Sequence, residues 1–487
     1  MSFRRSAYAL AALLLLFPLA TALASGAQET AEDDSYEILW YHIGTASAES
    51  DRVFEAVNEY IEPRIGATVR RVLIGWGDYG QRMQTSIASG EPFDMLFTAS
   101  WMNYSQWATN GGLYPLNSLM EDEGAPLGDL LPSEFIAGNQ IDGELYGVAA
   151  NKELAHQWAV VLNERLVEKY DFEIPDVVTL DQLESMFEVI RENEPGVEVI
   201  STRQDLTFMP WLEQFFDGNY ETTWVRRDDE DYELVDVWRT PEMEQFLDRM
   251  RAWYEAGYFQ PDVATIGDNQ QTILSGRWFA SITSTTPYAD RRQSRQWGFD
   301  VIHVPFQTPI ISTRDVGGSM IAISATSDNP EKVMEFITLM NTDEYLRNLI
   351  EFGIEGEHWR FVDEEAGVIT QEGMTDYAPS GGWTLGNQFI TYTFPETPED
   401  KWERYREFND SAYTSRLLGF QFDPEPVQTE WAAVQNVIAE FEAPLLTGSV
   451  DPDEFLPEFL EKRDAAGYPA IMEEMQRQLD AWLAENR

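Results

Sequence analysis

The sequence predicts an α/β protein built on doubly wound sheets and divided into more than one lobe. One observation supports the fold class, and a second supports the number of lobes. Between Tyr36 and Phe97, three segments rich in β-branched and aromatic residues alternate with two segments whose apolar residues recur at helical spacing. Strands that alternate with helices in this way pair in parallel, because each helix returns the chain across one face of the sheet. The length of 487 residues exceeds that of a usual domain, so we expect more than one lobe.

The first α/β segment can be followed element by element. Strands are predicted over 36–41 and 68–74, with a helix over 51–61 between them that Pro63 stops. A second helix and a third strand, over 93–97, follow. Ligands of open α/β sheets bind outside the carboxyl ends of the strands, so the loops after these three strands are the first candidates for a site.

The alternation returns further along the chain. A strand is predicted over 320–323, followed by a helix that Asn329 caps. Thr179 and Gln182 have the spacing of a capping box at the start of another helix. Apolar residues at helical spacing over 471–482 predict an amphipathic helix near the end of the chain.

Acidic residues are in large excess and give a formal net charge of −52. This charge argues against nucleic acid, anionic membrane surfaces and polyanionic substrates as partners, because these need a basic surface. We interpret the excess as a solubilising surface, and attraction of cationic ligands is the less supported alternative. The chain has no cysteine, which excludes disulfide scaffolds, zinc ribbons, iron–sulfur clusters and cysteine nucleophiles.

The first residues have the features of a secretory signal peptide. Arg4 and Arg5 precede a short apolar run over 7–20, and residues 22–24 (Ala-Leu-Ala) provide a small-residue cleavage site. We therefore predict a cleavable signal peptide over 1–24 and a protein exported to the periplasm or the medium. A lipid anchor is not expected, because the chain lacks the cysteine that would carry it.

The sequence motifs of common enzyme classes are missing. There is no phosphate-binding loop, no H-E-x-x-H and no G-x-S-x-G. The histidines are scattered, so we expect neither a metal site nor a cofactor. A glycosidase needs only two suitably spaced carboxylates, and with 85 acidic residues no pair in the sequence is informative. A hydrolase therefore stays open at this point.

Several aromatic residues lie beside turn residues instead of within apolar stripes. Trp76 and Trp101 follow predicted strands, and Trp383 precedes Gly386-Asn387-Gln388, where the two amides offer hydrogen-bond donors and acceptors. Indole rings stack on the apolar face of sugar rings, whereas tryptophan in general most often belongs to the core. We predict that these three tryptophans provide stacking faces, with Tyr146 as a fourth aromatic residue.

Short motifs occurring in a fixed order resemble one known family. Residues 75–79 (GWGDY), 88–94 (ASGEPFD), 142–148 (DGELYGV) and 317–332 are similar to the extracellular solute-binding proteins of ABC importers, in the family-1, sugar-binding group. At residues 353–359, 383–388 and 419–423 the chain resembles the subgroup that has a DUF3502, LipO-like C-terminal region. Members of this subgroup are commonly lipoproteins, and the missing cysteine is a departure from their pattern.

The resemblance implies a bilobed periplasmic-binding-protein fold of type II-like form, with two doubly wound α/β lobes joined by hinge crossovers. We expect lobe one over 35–149 plus 304–345, and lobe two over 150–303 plus 346–487, including the DUF3502-like region. The crossovers are predicted near residues 148–153, 302–305 and 346–359.

The implied function is capture of an oligosaccharide or related polar solute in the interlobe cleft and delivery to ABC permease subunits in the membrane, by a monomer that is not an enzyme. Glu355 and His358 lie in the segment placed at the third crossover and are candidates to hydrogen-bond ligand hydroxyls. We expect Asp94, near the site, to accept hydrogen bonds from backbone N–H groups instead. Two alternatives remain, a secreted glycan-active hydrolase and the solute-binding subunit of a chemosensory receptor.

Overall fold

Two mixed sheets organise the part of the chain that the structure describes. This structure is a computed structural model, and the residues described are 35–132, 136–205, 207–218, 224–228, 230–377 and 381–486. The predicted signal peptide therefore lies outside the described residues. Among the residues described, no helix is both long and apolar enough to cross a membrane.

The strands and helices are numbered in chain order. The strands are β1 Tyr36–Ile43, β2 Ala67–Ile74, β3 Met95–Thr98, β4 Gln140–Ile141, β5 Glu144–Leu145, β6 Gly147–Ala149, β7 Gln157–Asn163, β8 Glu198–Ile200, β9 Phe216–Gly218, β10 Trp224–Arg226, β11 Leu234–Val235, β12 Trp278–Thr285, β13 Val301–Pro305, β14 Ile310–Ile311, β15 Met320–Ile323, β16 Arg360–Asp363, β17 Val368–Thr370 and β18 Tyr413–Thr414. The helices are α1 Ser50–Ile65, α2 Trp76–Ser89, α3 Tyr104–Thr109, α4 Asn117–Glu121, α5 Ala125–Gly128, α6 Glu164–Lys169, α7 Leu180–Asn193, α8 Pro241–Glu255, α9 Gln270–Ser275, α10 Ala289–Trp297, α11 Thr313–Val316, α12 Pro330–Thr342, α13 Glu344–Phe352, α14 Lys401–Asp410, α15 Gln428–Leu446, α16 Pro452–Ala465 and α17 Tyr468–Asn486.

The first sheet has the strand order β2-β1-β3-β15-β6. Strands β1, β2 and β3 are parallel, as the sequence predicts, so their carboxyl ends meet at one edge. Strand β15 arrives from much later in the chain and pairs antiparallel with both β3 and β6. This return strand places residues near position 320 beside the carboxyl end of β3.

Both faces of the first sheet are covered by helices. Ile38 and Trp40 of β1 belong to a core that α1, α12 and α13 complete. Tyr41 and Ile43 point into a second core on the opposite face, which contains residues of α2 and α3. Successive strand residues face opposite sides, so a strand buried on both sides reads as a continuous apolar run. The first lobe is therefore doubly wound.

The second sheet has the strand order β13-β7-β12-β8. Strand β7 pairs antiparallel with β12 and β13, and β8 pairs in parallel with β12. Its main core includes Val160 and Leu162 of β7 together with residues of α7, α8, α15, α16 and α17. The C-terminal helices thus belong to the core of the second lobe.

Local helix signals are reproduced, with one exception. Thr179 and Gln182 form the predicted capping box, and the side chain of Asn329 accepts a hydrogen bond from the backbone N–H of Lys332. The prediction that Pro63 stops the first helix is wrong. Helix α1 runs through Pro63 to Ile65, and Gly66 follows it with a φ of 63°, the left-handed conformation that closes many helices.

The chain passes between the two sheets at two described places. It leaves the first sheet after β6 and enters the second at β7, and it returns between β13 and β15. The segment expected to form the third crossover packs differently, because Leu346, Leu349 and Ile350 lie in the α1-side core of the first sheet. Tyr377 and Leu385 belong to the same core. This packing favours a first lobe that continues past Tyr345, and the lobe boundaries stay a prediction.

Candidate functional site

Two exposed tryptophans lie at the carboxyl edge of the first sheet. Trp76 is the first residue of α2, directly after β2, and Trp101 follows β3. Their exposed fractions are 47% and 45%, and no other tryptophan in the described part of the chain is a large exposed residue. Because exposed apolar area is unfavourable in water, such a pair of rings marks a surface that is suited to contact with a ligand.

Trp383 completes a cluster of three indole rings, which we call the tryptophan cluster. It lies on a one-turn 3-10 helix, Gly382–Thr384, and is half-buried. The centroids of its ring and the Trp76 ring are 5.6 Å apart, and those of its ring and the Trp101 ring are 6.5 Å apart. The Trp76 and Trp101 rings are stacked with an interplanar angle of 15° and a centroid distance of 6.4 Å. The structure therefore brings together the three tryptophans that the sequence singles out.

The tryptophan cluster rests on the core of the first lobe. The fully buried ring of Phe97 lies 6.2 Å from Trp101 and 5.9 Å from Trp383, with an edge-to-face arrangement toward Trp383. Sequence reasoning placed Phe97 in a strand and missed this contact, because it depends on which segment covers the strand end. The indole N–H of Trp101 donates to the carbonyl of Gly318 over 2.8 Å, so this polar group is already satisfied by the protein.

The remaining residues of the predicted site have contacts within the protein. Tyr146 is half-buried against the α2-side core, and its backbone N–H donates to the hydroxyl of Tyr104 over 3.1 Å. Asn387 is buried, and its side chain donates to the carbonyl of Asn341 over 3.0 Å. The backbone N–H of Gln388 donates to the carbonyl of Asn151, in the crossover that leads from β6 to β7.

Glu355 and His358 lie in a turn after α13. The ring of His358 is fully buried, lies 5.4 Å from the Tyr377 ring and accepts a hydrogen bond from the backbone N–H of Ile354 over 2.9 Å. Its Nε2 lies 3.5 Å from a carboxylate oxygen of Glu49. Glu355 is exposed. These contacts give His358 a packing role, and its predicted role in ligand binding stays a prediction, as it does for Glu355.

Asp94 behaves as the sequence predicts. Its carboxylate accepts a hydrogen bond from the backbone N–H of Leu39 over 2.8 Å, and also from the hydroxyl groups of Tyr36 and Ser327. Burial and the hydrogen bond to Asp94 raise the pKa of Tyr36 to about 12, so the tyrosine stays protonated. Asp94 therefore ties the start of β1 to the start of β3, away from the tryptophan cluster.

The carboxylate of Glu351 lies next to the one-turn helix that carries Trp383. The side chain of Glu351 lies directly against Gly382 and accepts a hydrogen bond from Arg347 over 2.5 Å. Burial lowers the pKa of Lys401, while the charges of Glu153 and Glu351 oppose that shift. No pattern in the sequence distinguishes Glu351 from the many other acidic residues. Among the residues described, no group of three or more His, Cys, Asp or Glu side chains is arranged to hold a metal ion.

Comparison with known families identifies the class of protein. The family model for bacterial extracellular solute-binding proteins matches residues 50–346, which is more than half of the chain. The chain belongs to this family. A second model, described as a domain of unknown function, DUF3502, matches residues 416–484. The family resemblance and the C-terminal region that the sequence indicates are both confirmed.

Full-length relatives of this solute-binding protein support the assignment. A carbohydrate ABC transporter substrate-binding protein from Streptococcus pneumoniae serotype 4 (strain ATCC BAA-334 / TIGR4) is 29% identical over 93% of this chain and 92% of its own. The crystal structure of the N-glycan transport solute-binding protein NgtS from Streptococcus pneumoniae matches at 28% identity with a TM-score of 0.84, over 93% of this chain and 100% of that chain.

NgtS has also been solved with glycans bound. Its complex with Man1GlcNAc matches with a TM-score of 0.72 over 92% of this chain, and its complex with Man5GlcNAc with a TM-score of 0.70 over 93%. Both matches are 28% identical and cover 100% of the NgtS chain. The alginate-binding protein AlgQ2 without calcium ion shares the fold at 15% identity, with a TM-score of 0.62 over 92% of this chain and 98% of that chain. The predicted bilobed periplasmic-binding-protein fold is confirmed.

The two family models cover only two of the three tryptophans in the cluster of this solute-binding protein. Trp76 and Trp101 lie within the matched region 50–346, whereas Trp383 lies between the two matched regions. The third ring of the cluster is therefore supplied by a segment that neither family model describes.

Proposed function

We propose that the protein is the solute-binding component of a carbohydrate ABC importer and binds an oligosaccharide in the cleft between its lobes. The observation that carries the proposal is the tryptophan cluster, in which three indole rings lie within 6.5 Å of one another at the carboxyl edge of the first sheet. The apolar faces of sugar rings stack on such aromatic rings, and a bound oligosaccharide needs several stacking positions.

The relatives support an oligosaccharide as the ligand. NgtS is an N-glycan transport solute-binding protein, and two of its structures hold Man1GlcNAc and Man5GlcNAc. This chain matches NgtS with a TM-score of 0.84 in one crystal structure and with TM-scores of 0.72 and 0.70 in the two glycan complexes. Because the identity and coverage are nearly equal, the NgtS structures differ in shape from one another, and closure of the lobes around a glycan would produce such a difference.

The proposal extends to cellular context and partners. We propose export by the predicted signal peptide to the periplasm or the medium, without a lipid anchor, and action as a monomer that delivers the ligand to ABC permease subunits. The protein catalyses no reaction on the ligand. A secreted hydrolase and a chemosensory subunit are less supported, because a relative that matches over 92% of its own length is a carbohydrate ABC transporter substrate-binding protein.

A ligand screen with product analysis tests this proposal. Purified mature protein is mixed with a panel of N-glycan fragments, including Man1GlcNAc and Man5GlcNAc, and with plant and bacterial oligosaccharides. A ligand that binds only the folded state stabilises it by mass action, by about 2.7 kcal/mol at a hundredfold excess over the Kd. We expect a thermal shift with at least one oligosaccharide, and mass spectrometry should recover that glycan unchanged. A shortened product, or no shift across the panel, would contradict the proposal.

A further inference from the structure

Three consecutive backbone carbonyls hold the segment that carries Trp383. Arg347 Nη2 donates to the carbonyl of Gly382 over 2.8 Å. Ser319 Oγ donates to the carbonyl of Trp383 over 2.7 Å, and His42 Nε2 lies 3.2 Å from the carbonyl of Thr384. The carbonyl of Gly382 also accepts the backbone N–H of Leu385 over 3.1 Å within this turn. A side chain from elsewhere in the fold is paired with each of the three carbonyls, as buried or partly buried carbonyls at the end of a helix require.

The three donors come from separate elements of the first lobe. His42 lies on β1, Ser319 directly precedes β15, and Arg347 lies on α13. All three residues are buried. Their side chains cannot swing into solvent, so they act as fixed points to which the Trp383 segment is attached.

The proton on His42 is placed by its neighbour. Arg71 Nη2 lies 2.6 Å from His42 Nδ1, and a guanidinium can only donate, so Nδ1 is the acceptor. The imidazole proton is then on Nε2, where it faces the carbonyl of Thr384. Burial, together with the charge of Arg71, holds the pKa of His42 well below its usual value, so the ring stays neutral with this single N–H.

The segment that ends at Ser319 also holds Trp101 in place. The carbonyl of Gly318 accepts the indole N–H of Trp101, and the carbonyl of Gly317 accepts the backbone N–H of Ser100 over 2.7 Å. A Cβ at Gly317 would lie only 2.8 Å from the side-chain oxygen of Asn139, so the close approach requires glycine here. One short segment, Gly317–Ser319, therefore contacts the segments that carry two of the three tryptophans.

We propose that His42, Ser319 and Arg347 are positioning residues that hold Trp383 in its place in the tryptophan cluster before a ligand arrives. The inference rests on the proposed function, since it assigns these residues to the affinity of the same site. Because the ring is already in place, binding does not have to order it. The binding free energy is then not reduced by the entropy cost of that ordering. Loss of one anchor should therefore weaken binding without removing any contact to the ligand.

Ser319 provides a mild test, because Ser319→Ala removes one hydroxyl and keeps the backbone. Man5GlcNAc is the probe, and calorimetry gives its Kd with the wild type, Ser319→Ala, Trp383→Ala and the double variant. One hydrogen bond corresponds to about three- to tenfold in affinity, so Ser319→Ala should weaken binding by that factor. In the Trp383→Ala background the same substitution should change the Kd by less than about twofold.

Ser324→Ala is the matched control. Ser324 is buried like Ser319 and directly follows β15, at the opposite end of the same strand, where its hydroxyl lies 2.8 Å from that of Thr326. The control should leave the Kd unchanged. Equal losses for the two serine variants, or an equal loss for Ser319→Ala with and without Trp383, would overturn the positioning role.

A second readout needs no ligand. Protein labelled with 5-fluorotryptophan gives a separate fluorine resonance for Trp383, which is assigned by its absence in Trp383→Phe. This resonance should shift or broaden in Ser319→Ala and in His42→Gln, and stay unchanged in Ser324→Ala. If the wild type does not bind Man5GlcNAc or any other glycan of the panel, the proposed function fails, whereas an unchanged Trp383 resonance in both anchor variants overturns the positioning role.

Discussion

The indole ring of Trp76 lies 5.6 Å from that of Trp383, although the two residues are far apart in the sequence. Trp76 is placed by the ordinary geometry of a parallel sheet, since it directly follows β2 at the carboxyl edge. Trp383 reaches the same edge only because a later segment returns to the first lobe and is attached there by its carbonyls. In the tryptophan cluster, the first sheet itself therefore places Trp76 at its carboxyl edge, and a later part of the chain adds Trp383 beside it.

Closure of the lobes should accompany ligand binding. Saturation with Man5GlcNAc, or with the glycan that gives the largest thermal shift, should reduce the radius of gyration in small-angle X-ray scattering. The basis for this expectation is the hinge motion by which two lobes close around a ligand bound between them. A sugar from the panel that gives no thermal shift serves as the control. An unchanged radius with a ligand whose saturation is confirmed by calorimetry would contradict closure.

His156 should make the stability of the protein depend on pH. It lies between Glu213 and Asp315, with Nε2 3.2 Å from the first carboxylate and Nδ1 2.9 Å from the second. Burial alone would lower the pKa of His156, but the charges and hydrogen bonds of Asp315 and Glu213 raise it to about 10. The unfolded value is about 6.5, so the stabilisation is complete below that pH and is lost as the pH rises toward 10.

The comparison of the wild type with His156→Gln measures this effect. The difference in unfolding free energy, from urea denaturation, should shrink by about 4 kcal/mol between pH 6 and pH 10, since each pKa unit corresponds to about 1.4 kcal/mol and most of the shift is traversed in this range. His303→Gln is the control, because burial lowers the pKa of His303 to about 4 and its ring does not titrate in this range. A difference between wild type and His156→Gln that does not vary with pH would show that the ring is neutral in the folded protein.

Gly386 should be much more sensitive to substitution than Gly356. Both have positive φ values, 91° and 80°, which favour glycine. A Cβ at Gly386 would overlap the side-chain amide of Asn341, whereas a Cβ at Gly356 would meet nothing within 4 Å. We expect Gly356→Ala to cost about 1 kcal/mol from backbone strain alone. Gly386→Ala should cost about 3 kcal/mol in urea denaturation, because the clash is added. Equal losses would contradict the packing described around Asn341.

The first sheet and part of the site could be predicted from the sequence because local patterns determine them. Alternation of strands and helices indicates the parallel strands, and the rule for strand ends selects the loops that carry Trp76 and Trp101. His358 and Asn387 could not be understood in this way. Their partners, Tyr377 and Asn341, are brought to them by tertiary packing, so a polar residue beside glycines gave no sign that it would be buried.

The division into lobes was harder to predict for the same reason. From the sequence a crossover is predicted near residues 346–359, whereas Leu346 and Ile350 of α13 join the core of the first lobe. The donors to the Trp383 segment also escaped prediction. His42, Ser319 and Arg347 lie on three elements that are distant in the sequence, and each one reads locally as an ordinary strand-end or helix residue.

Calorimetric titration of the tryptophan variants tests the central proposal most directly. Wild type, Trp76→Ala, Trp101→Ala and Trp383→Ala are titrated with the oligosaccharide that binds in the screen. Stacking is worth on the order of 1–2 kcal/mol per ring, so we expect each variant to bind about tenfold more weakly while it stays folded. Trp431→Ala is the control, because Trp431 is a half-buried residue of α15 whose ring contacts Phe422, and it should bind like the wild type. Unchanged affinity in all three cluster variants would contradict the assignment of this surface as the sugar-binding site.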